Sequence, residues 1–141
     1  MVKSKEKGGR WELEATKLLN KRFPGTWKKI AMSGSLGSIL NIPILKADVI
    51  GEYKHISYRL MGDCKVGYGG KNMTIQKEWF DKIRDIAEEN YALPVVILKF
   101  EKSRSGVRYV ICMDFDTWDA LMTDMGELYH ELKQAYISQN G

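Results

Sequence analysis

The sequence predicts an α/β domain in which a mixed central sheet of about five strands is flanked by helices. Three observations lead there. The chain has 141 residues and is 44% hydrophobic, enough for one core and too little for a second. Stretches with the helical period alternate with shorter apolar runs, in the order helix, three strands, helix, two strands, helix. Strands that meet a crossover helix imply a mixed sheet.

Residues 1–10 hold Lys3, Lys5, Lys7 and Arg10 against Glu6 and read as a basic, flexible arm that either orders on a phosphate backbone or serves as a disordered solubilising tail. From Gly9 to Phe23 the residues Trp11, Ala15, Leu18, Leu19 and Phe23 fall at helical spacing, and Pro24-Gly25 ends the helix. Glu12 lies at the edge of that stripe, where it can reach a cleft. Glu14, about 200° away from Glu12 by the helical period, reads as solvated. Residues 26–32 suit a first strand, and residues 33–38, SGSLGS, a flexible loop whose hydroxyls and amides suit phosphate contacts or an idle turn. Residues 39–45, ILNIPIL, extend that loop or meet a neighbouring chain.

Residues 47–51 and 57–66 read as a hairpin closed by a polar bend over 52–55. The first strand carries Asp48 and the second Asp63 and Lys65. Strand side chains alternate, so Asp63 and Lys65 share a face while Cys64 points away. Both aspartates interrupt runs otherwise fit for burial, and a buried carboxylate must find a cation, a metal or a proton. Lys65 can satisfy one of them as an internal ion pair, yet the acids outnumber it, and a divalent metal would close the gap.

The glycine-bearing stretch 66–73 reads as a loop at the mouth of this site, with Lys71 offered to phosphate, and it lacks the spacing of a nucleotide-binding fingerprint. Thr74 is the expected N-cap of a helix to about Asn90, with Ile75, Trp79, Ile83, Ile86 and Ala87 on its apolar face. A buried strand over 93–100, a basic turn over 102–106 and a returning strand over 107–113 follow. A final helix runs from Phe115 to about Tyr136, with Gly126 weakening its middle; its apolar stripe is expected to cover the sheet, the alternative being a surface for a second copy.

Charge divides the chain. Six acids against one lysine leave residues 114–141 at −5, so residues 1–113 carry +9 of the net +4, a basic body with an acidic tail. That distribution fits a face for a polyanion, or ordinary solvated charge. The two cysteines, Cys64 and Cys112, match neither a zinc spacing nor a disulfide framework and read as buried free thiols of a reducing compartment. No apolar run approaches the roughly 18 residues of a membrane span, and the N-terminus lacks a signal peptide's apolar core, so a cytoplasmic protein is expected.

The set Glu12, Asp48 and Asp63-Cys64-Lys65 resembles the PD-(D/E)XK nuclease superfamily, whose restriction-endonuclease-like core is also a helix, three strands, a helix and a further strand. Within it, the run Lys7-Gly8-Gly9-Arg10-Trp11-Glu12 and the Gly34-Ser35 loop are similar to archaeal-type Holliday-junction resolvases, although these usually carry glutamate where this chain has Asp63. The resemblance implies a nuclease domain with Glu12, Asp48, Asp63 and Lys65 as catalytic residues. It implies Mg²⁺, with Mn²⁺ able to substitute, held by Glu12, Asp48, Asp63 and the Cys64 carbonyl. It further implies contacts to DNA from the basic arm, Ser33, Ser35 and Lys71, and a homodimer cutting four-way junctions. Gln76 stands where some relatives place a glutamine near the site, and from the residues alone reads as a helix-surface glutamine. Two other readings fit the same residues: a restriction- or repair-type endonuclease acting on duplex, flap or nicked DNA, and a non-catalytic DNA-binding module in which Lys65 merely neutralises Asp63.

Overall fold

The computed structural model describes residues 4–30, 47–68 and 70–140, residues 4–8 by backbone alone. The expectations for Lys3, for the serine loop with Ser33 and Ser35, and for the apolar stretch 39–45 lie outside the described residues, as do those for the side chains of Lys5 and Lys7. The elements follow the expected order: α1 (Ser4–Leu19), β1 (Trp27–Lys29), β2 (Val49–Glu52), β3 (Arg59–Gly67), α2 (Lys77–Glu89), β4 (Ala92–Phe100), β5 (Tyr109–Cys112) and α3 (Phe115–Asn140).

Among the described residues, five strands form one sheet in the order β1-β2-β3-β4-β5. Of these, β3 and β4, joined through α2, run parallel; the other neighbours are antiparallel. The sheet is therefore mixed, as the crossover helix required.

Alternation along the central strands feeds a core on each face. Val96 and Leu98 of β4, with Met61 of β3, pack against Ile83, Ile86 and Ala87 of α2. Val95 and Ile97, with Val49 and Leu60, pack against Trp11 and Ala15 of α1 and Leu121 of α3. The Trp11 side chain is 1% exposed, and its indole N–H donates to the Ile97 carbonyl at 3.3 Å, so the largest buried group in α1 fixes the helix over the sheet centre. Asn20 ties the other end of α1 to β1, accepting from the Trp27 N–H at 2.6 Å and donating to the Trp27 carbonyl at 2.8 Å.

Several boundaries differ from expectation. α1 starts at Ser4, so Lys5, Lys7 and Arg10 stand on helical turns; the Gly8-Gly9 pair, unfavourable in a helix by about 1 kcal/mol per residue, favours a later start by itself. α1 also ends at Leu19, leaving Leu18 and Phe23 half-exposed. The N-cap of α2 is Gln76, without a side-chain capping bond, and Ile75 is 52% exposed instead of facing the core. Much of the apolar stripe of α3 does not cover the sheet: Thr117 and Leu121 are buried, whereas Trp118, Tyr129, Leu132 and Tyr136 are more than half exposed. Both cysteines are free, but half-buried where full burial was expected.

Candidate active site

The antiparallel register of β2 and β3 pairs Val49 with Gly62, which puts Asp48 opposite Asp63 one step further along. Backbone bonds fix Asp48 from both sides, its N–H donating to the Gly62 carbonyl at 3.0 Å and its carbonyl accepting from the Ile30 N–H at 2.9 Å. Gly62 is needed for this approach: a Cβ there would stand 2.8 Å from a Val49 methyl and 3.2 Å from Ile97.

The Asp48 side chain turns along β3, its Oδ2 accepting the Cys64 N–H at 2.9 Å. The Asp63 carboxylate lies close enough to share a hydrogen bond with it. Asp63 is 7% exposed, and its buried Oδ2 has no hydrogen-bond partner among the described residues, although the Lys65 ammonium faces it at 3.4 Å. Lys65 is itself held over the Trp79 ring at 5.4 Å, so α2 orients it.

The electrostatics follow from this crowding. Burial, then the charge and hydrogen bond of Asp63, then more weakly the charge of Glu12, push the Asp48 carboxyl up to about 8, while the Cys64 N–H pulls it down. Near neutral pH the pair thus retains a proton between its two carboxyls. The Cys64 thiol lies on the opposite side of the strand against α1, and burial pushes its ionisation up. That makes it a packing group instead of a nucleophile.

Glu12 reaches the neighbourhood without joining the pair. Its charge acts on Asp48 and Cys64, but its carboxylate points to Lys29 of β1 at 3.5 Å. Among the described residues no three acidic, histidine or cysteine side chains form a ready-made metal cage. What the strands bring together is two carboxylates and one ammonium.

With Lys102 and Arg104 of the β4–β5 turn, Lys71 lines an open cleft of about 380 Å³ beyond the ends of β3 and β4. Arg10 is exposed on α1, and Gln76 is exposed at the start of α2.

Two groupings were missed by the sequence reading. Lys29 is the partner of Glu12. Glu14, expected to be solvated, accepts hydrogen bonds from the Lys99 ammonium at 2.5 Å and from the Tyr109 hydroxyl at 2.7 Å. Burial pushes the Glu14 carboxyl up, but the bonds from Lys99 and Tyr109 outweigh it and hold the group below the usual carboxylate range. The available signal was Lys99 itself, a cation inside the apolar run 92–100, the same kind of interruption that singled out Asp48.

The donors suit a hard divalent cation. An orphaned buried carboxylate oxygen, a second carboxylate that retains its proton at neutral pH, and the negative field of Glu12 all mark a locus short of positive charge, and Mg²⁺ takes one or two carboxylates plus water and phosphate oxygens. A strand-borne aspartate pair with a lysine two residues past the second acid, on a mixed sheet between helices, defines the PD-(D/E)XK nuclease class. The chain belongs to the family described as phage putative PDDEXK endonuclease, whose profile matches residues 3–138. No curated protein matches the sequence significantly. No helix among the described residues is long and apolar enough to cross a membrane.

Proposed function

We propose that this endonuclease hydrolyses DNA with a divalent cation, Mg²⁺ or in its place Mn²⁺, and that its preferred substrate is a four-way junction. The observation that carries the chemistry is the pairing of half-buried Asp48 with buried Asp63, Lys65 beside them. Asp48 and Asp63 would hold the cation, with the Cys64 carbonyl and Glu12 as further ligands. When bound, the cation supplies a Lewis acid that activates water and takes up charge on the scissile phosphate.

The chain's own groups do the rest. Asp48 gives up the proton it holds in the metal-free state, freeing both carboxylates as donors. Cys64 keeps Asp48 aimed through its N–H. Lys65, held by Trp79, presents a fixed positive charge that offsets charge developing on the phosphate oxygens. The likeness to relatives points to 5′-phosphate and 3′-hydroxyl products. Arg10 and Lys71, with Lys3, Lys5, Lys7, Ser33 and Ser35, are the proposed backbone contacts, and the cleft that Lys71 shares with Lys102 and Arg104 supports that part. Junction resolution takes two symmetric cuts, so this reading includes a two-fold homodimer. A DNA substrate and two free thiols fit a cytoplasmic setting, that of the host for a phage protein.

A labelled synthetic junction and a linear duplex of the same sequence, each incubated with wild type, Asp63→Asn and Lys65→Ala with and without Mg²⁺, test it. Wild type should cut the junction only with Mg²⁺, and each variant should lose at least about three decades of rate, roughly 4 kcal/mol of barrier, while still binding DNA. Equal cutting of the duplex would move the chain to the restriction- or repair-type reading with its chemistry intact. Salt-sensitive binding without any cutting would leave a DNA-binding module.

A further inference from the structure

α3 is 26 residues long, and among the described residues it touches its own domain along one side only. Thr117 and Leu121 are buried, Leu128 is half-buried, and the Asp124 carboxylate accepts the Ser57 N–H at 2.9 Å and the Ser57 hydroxyl at 2.7 Å. One position further round, Trp118, Met122, Met125, Tyr129, Leu132 and Tyr136 succeed one another in alternating steps of four and three residues. That is a heptad seam, and its members are 52%, 36%, 37%, 68%, 62% and 68% exposed.

We propose that this seam is where a second copy of the chain docks, the two α3 helices packing antiparallel across a two-fold axis. A period of 3.5 residues keeps a seam facing another helix along its whole length, whereas a helix laid on a sheet needs only the broader stripe that Leu121 and Leu128 already supply. The exposed surface is large enough. With aromatic side chains of about 150–250 Å² and the exposures above, the seam offers on the order of 600–700 Å² per protomer, close to the roughly 800 Å² of a stable interface.

Charge selects the orientation. α3 carries Asp116, Asp119, Asp124, Glu127 and Glu131 against Lys133. Parallel packing would lay acid beside acid and align the two helix dipoles, whereas antiparallel packing opposes the dipoles and brings Asp119 to the partner's Lys133. The same register sets Trp118 against the partner's Tyr136, Met122 against the partner's Leu132, and Met125 against the partner's Tyr129. Gly126 then falls beside the axis with nothing within 4 Å of a Cβ built on it, room for the helices to approach. An interface that matches itself in this way closes at two copies.

The pairing would supply the two-fold arrangement of the junction reading, and it rests on that reading for nothing else. Sedimentation equilibrium of the full chain over micromolar concentrations, with circular dichroism alongside, tests it. Wild type should be a dimer. Leu132→Asp and, separately, Met125→Glu should raise its dissociation constant by about a hundredfold or more, each change occurring twice in the interface, with helix content unchanged. Asp119→Lys and Lys133→Glu should each weaken the dimer, and the double variant should restore it to within about threefold of wild type, because the pair is only reversed in sign. A wild-type monomer at all concentrations, or a dimer indifferent to both seam variants, overturns the pairing; a double variant weaker than either single overturns the antiparallel register. A seam dimer that ignores junctions removes the substrate reading alone, and a monomer that cuts them removes the pairing alone.

Discussion

Replacing Asp48 with asparagine should stabilise the metal-free protein, and the gain should depend on pH. An acid whose folded-state value is raised keeps its proton in the native state after the unfolded chain has lost it. The stability of the wild type is therefore fully present below the unfolded value, 3.8, and is lost progressively as pH climbs to about 8, because burial and Asp63 resist ionisation of Asp48. The substituted amide would have nothing to ionise, and its oxygen could still accept the Cys64 N–H. At about 1.4 kcal/mol per unit, the span from 3.8 to pH 7 sets a ceiling near 4 kcal/mol, and relaxation around a coupled pair reduces this to roughly 2–4 kcal/mol. For a chain of this length that corresponds to a melting point higher by on the order of 10 °C. Thermal unfolding in EDTA at one protein concentration, from pH 4 to pH 8, reads it directly. The difference between variant and wild type should be near zero at pH 4 and greatest at pH 8, and added Mg²⁺ should narrow it by stabilising the wild type alone. A variant less stable than wild type at pH 8, or a gain that is flat with pH, would refute the claim that this carboxyl is held against its charge.

Other expectations follow from the same geometry. Gly62→Ala forces a methyl group to 2.8 Å from Val49 and should cost about 1–3 kcal/mol in denaturant unfolding, with a matching loss of cleavage as Asp48 shifts from Asp63. Glu14→Gln should cost about 1 kcal/mol, since the carboxylate is partly exposed but its loss weakens the pairing of a Lys99 ammonium only 11% exposed. The Glu14 carboxyl is held below its ordinary value, so the cost should be present at pH 6–7 and fade as pH falls below the unfolded value of 4.5, which urea melts at several pH values would show. Ser57→Ala removes one of the two bonds to Asp124 and should lower stability by about 0.5–1 kcal/mol, while amide exchange in α3 speeds up more than exchange in the sheet.

The fold was legible because period and order are local properties. Trp11 and Ala15 recur at helical spacing, and the runs 59–67 and 92–100 are short, near-continuous apolar segments of strand length. The carboxylate pair was legible for the same reason, because the face of a strand residue follows from counting. Contacts set by packing were less so. The helical angle placed Glu14 away from Glu12, but could not show that Tyr109 and Lys99 of two strands would meet it there. The same limit applies to α3, where periodicity reported an apolar face but not that the sheet takes only part of it. Whether Trp118 or Leu121 met the sheet depended on a rotation of about 60°, and the rotation observed is the one that also brings Asp124 to Ser57.

Sheet order also ranks the parts of the site by rigidity. β3 is hydrogen-bonded by β4 along its whole length and by β2 over residues 59–62, whereas β1 forms an edge among the described strands. Asp63 and Lys65 therefore ride on a strand held by its parallel neighbour at the sheet centre, with Glu12 beside the buried Trp11, whereas Lys29 stands on a three-residue edge strand that can loosen earlier. The acid pair thus behaves as a fixed anvil, and Lys29, the partner of Glu12, can yield to an arriving backbone without loss of the native state.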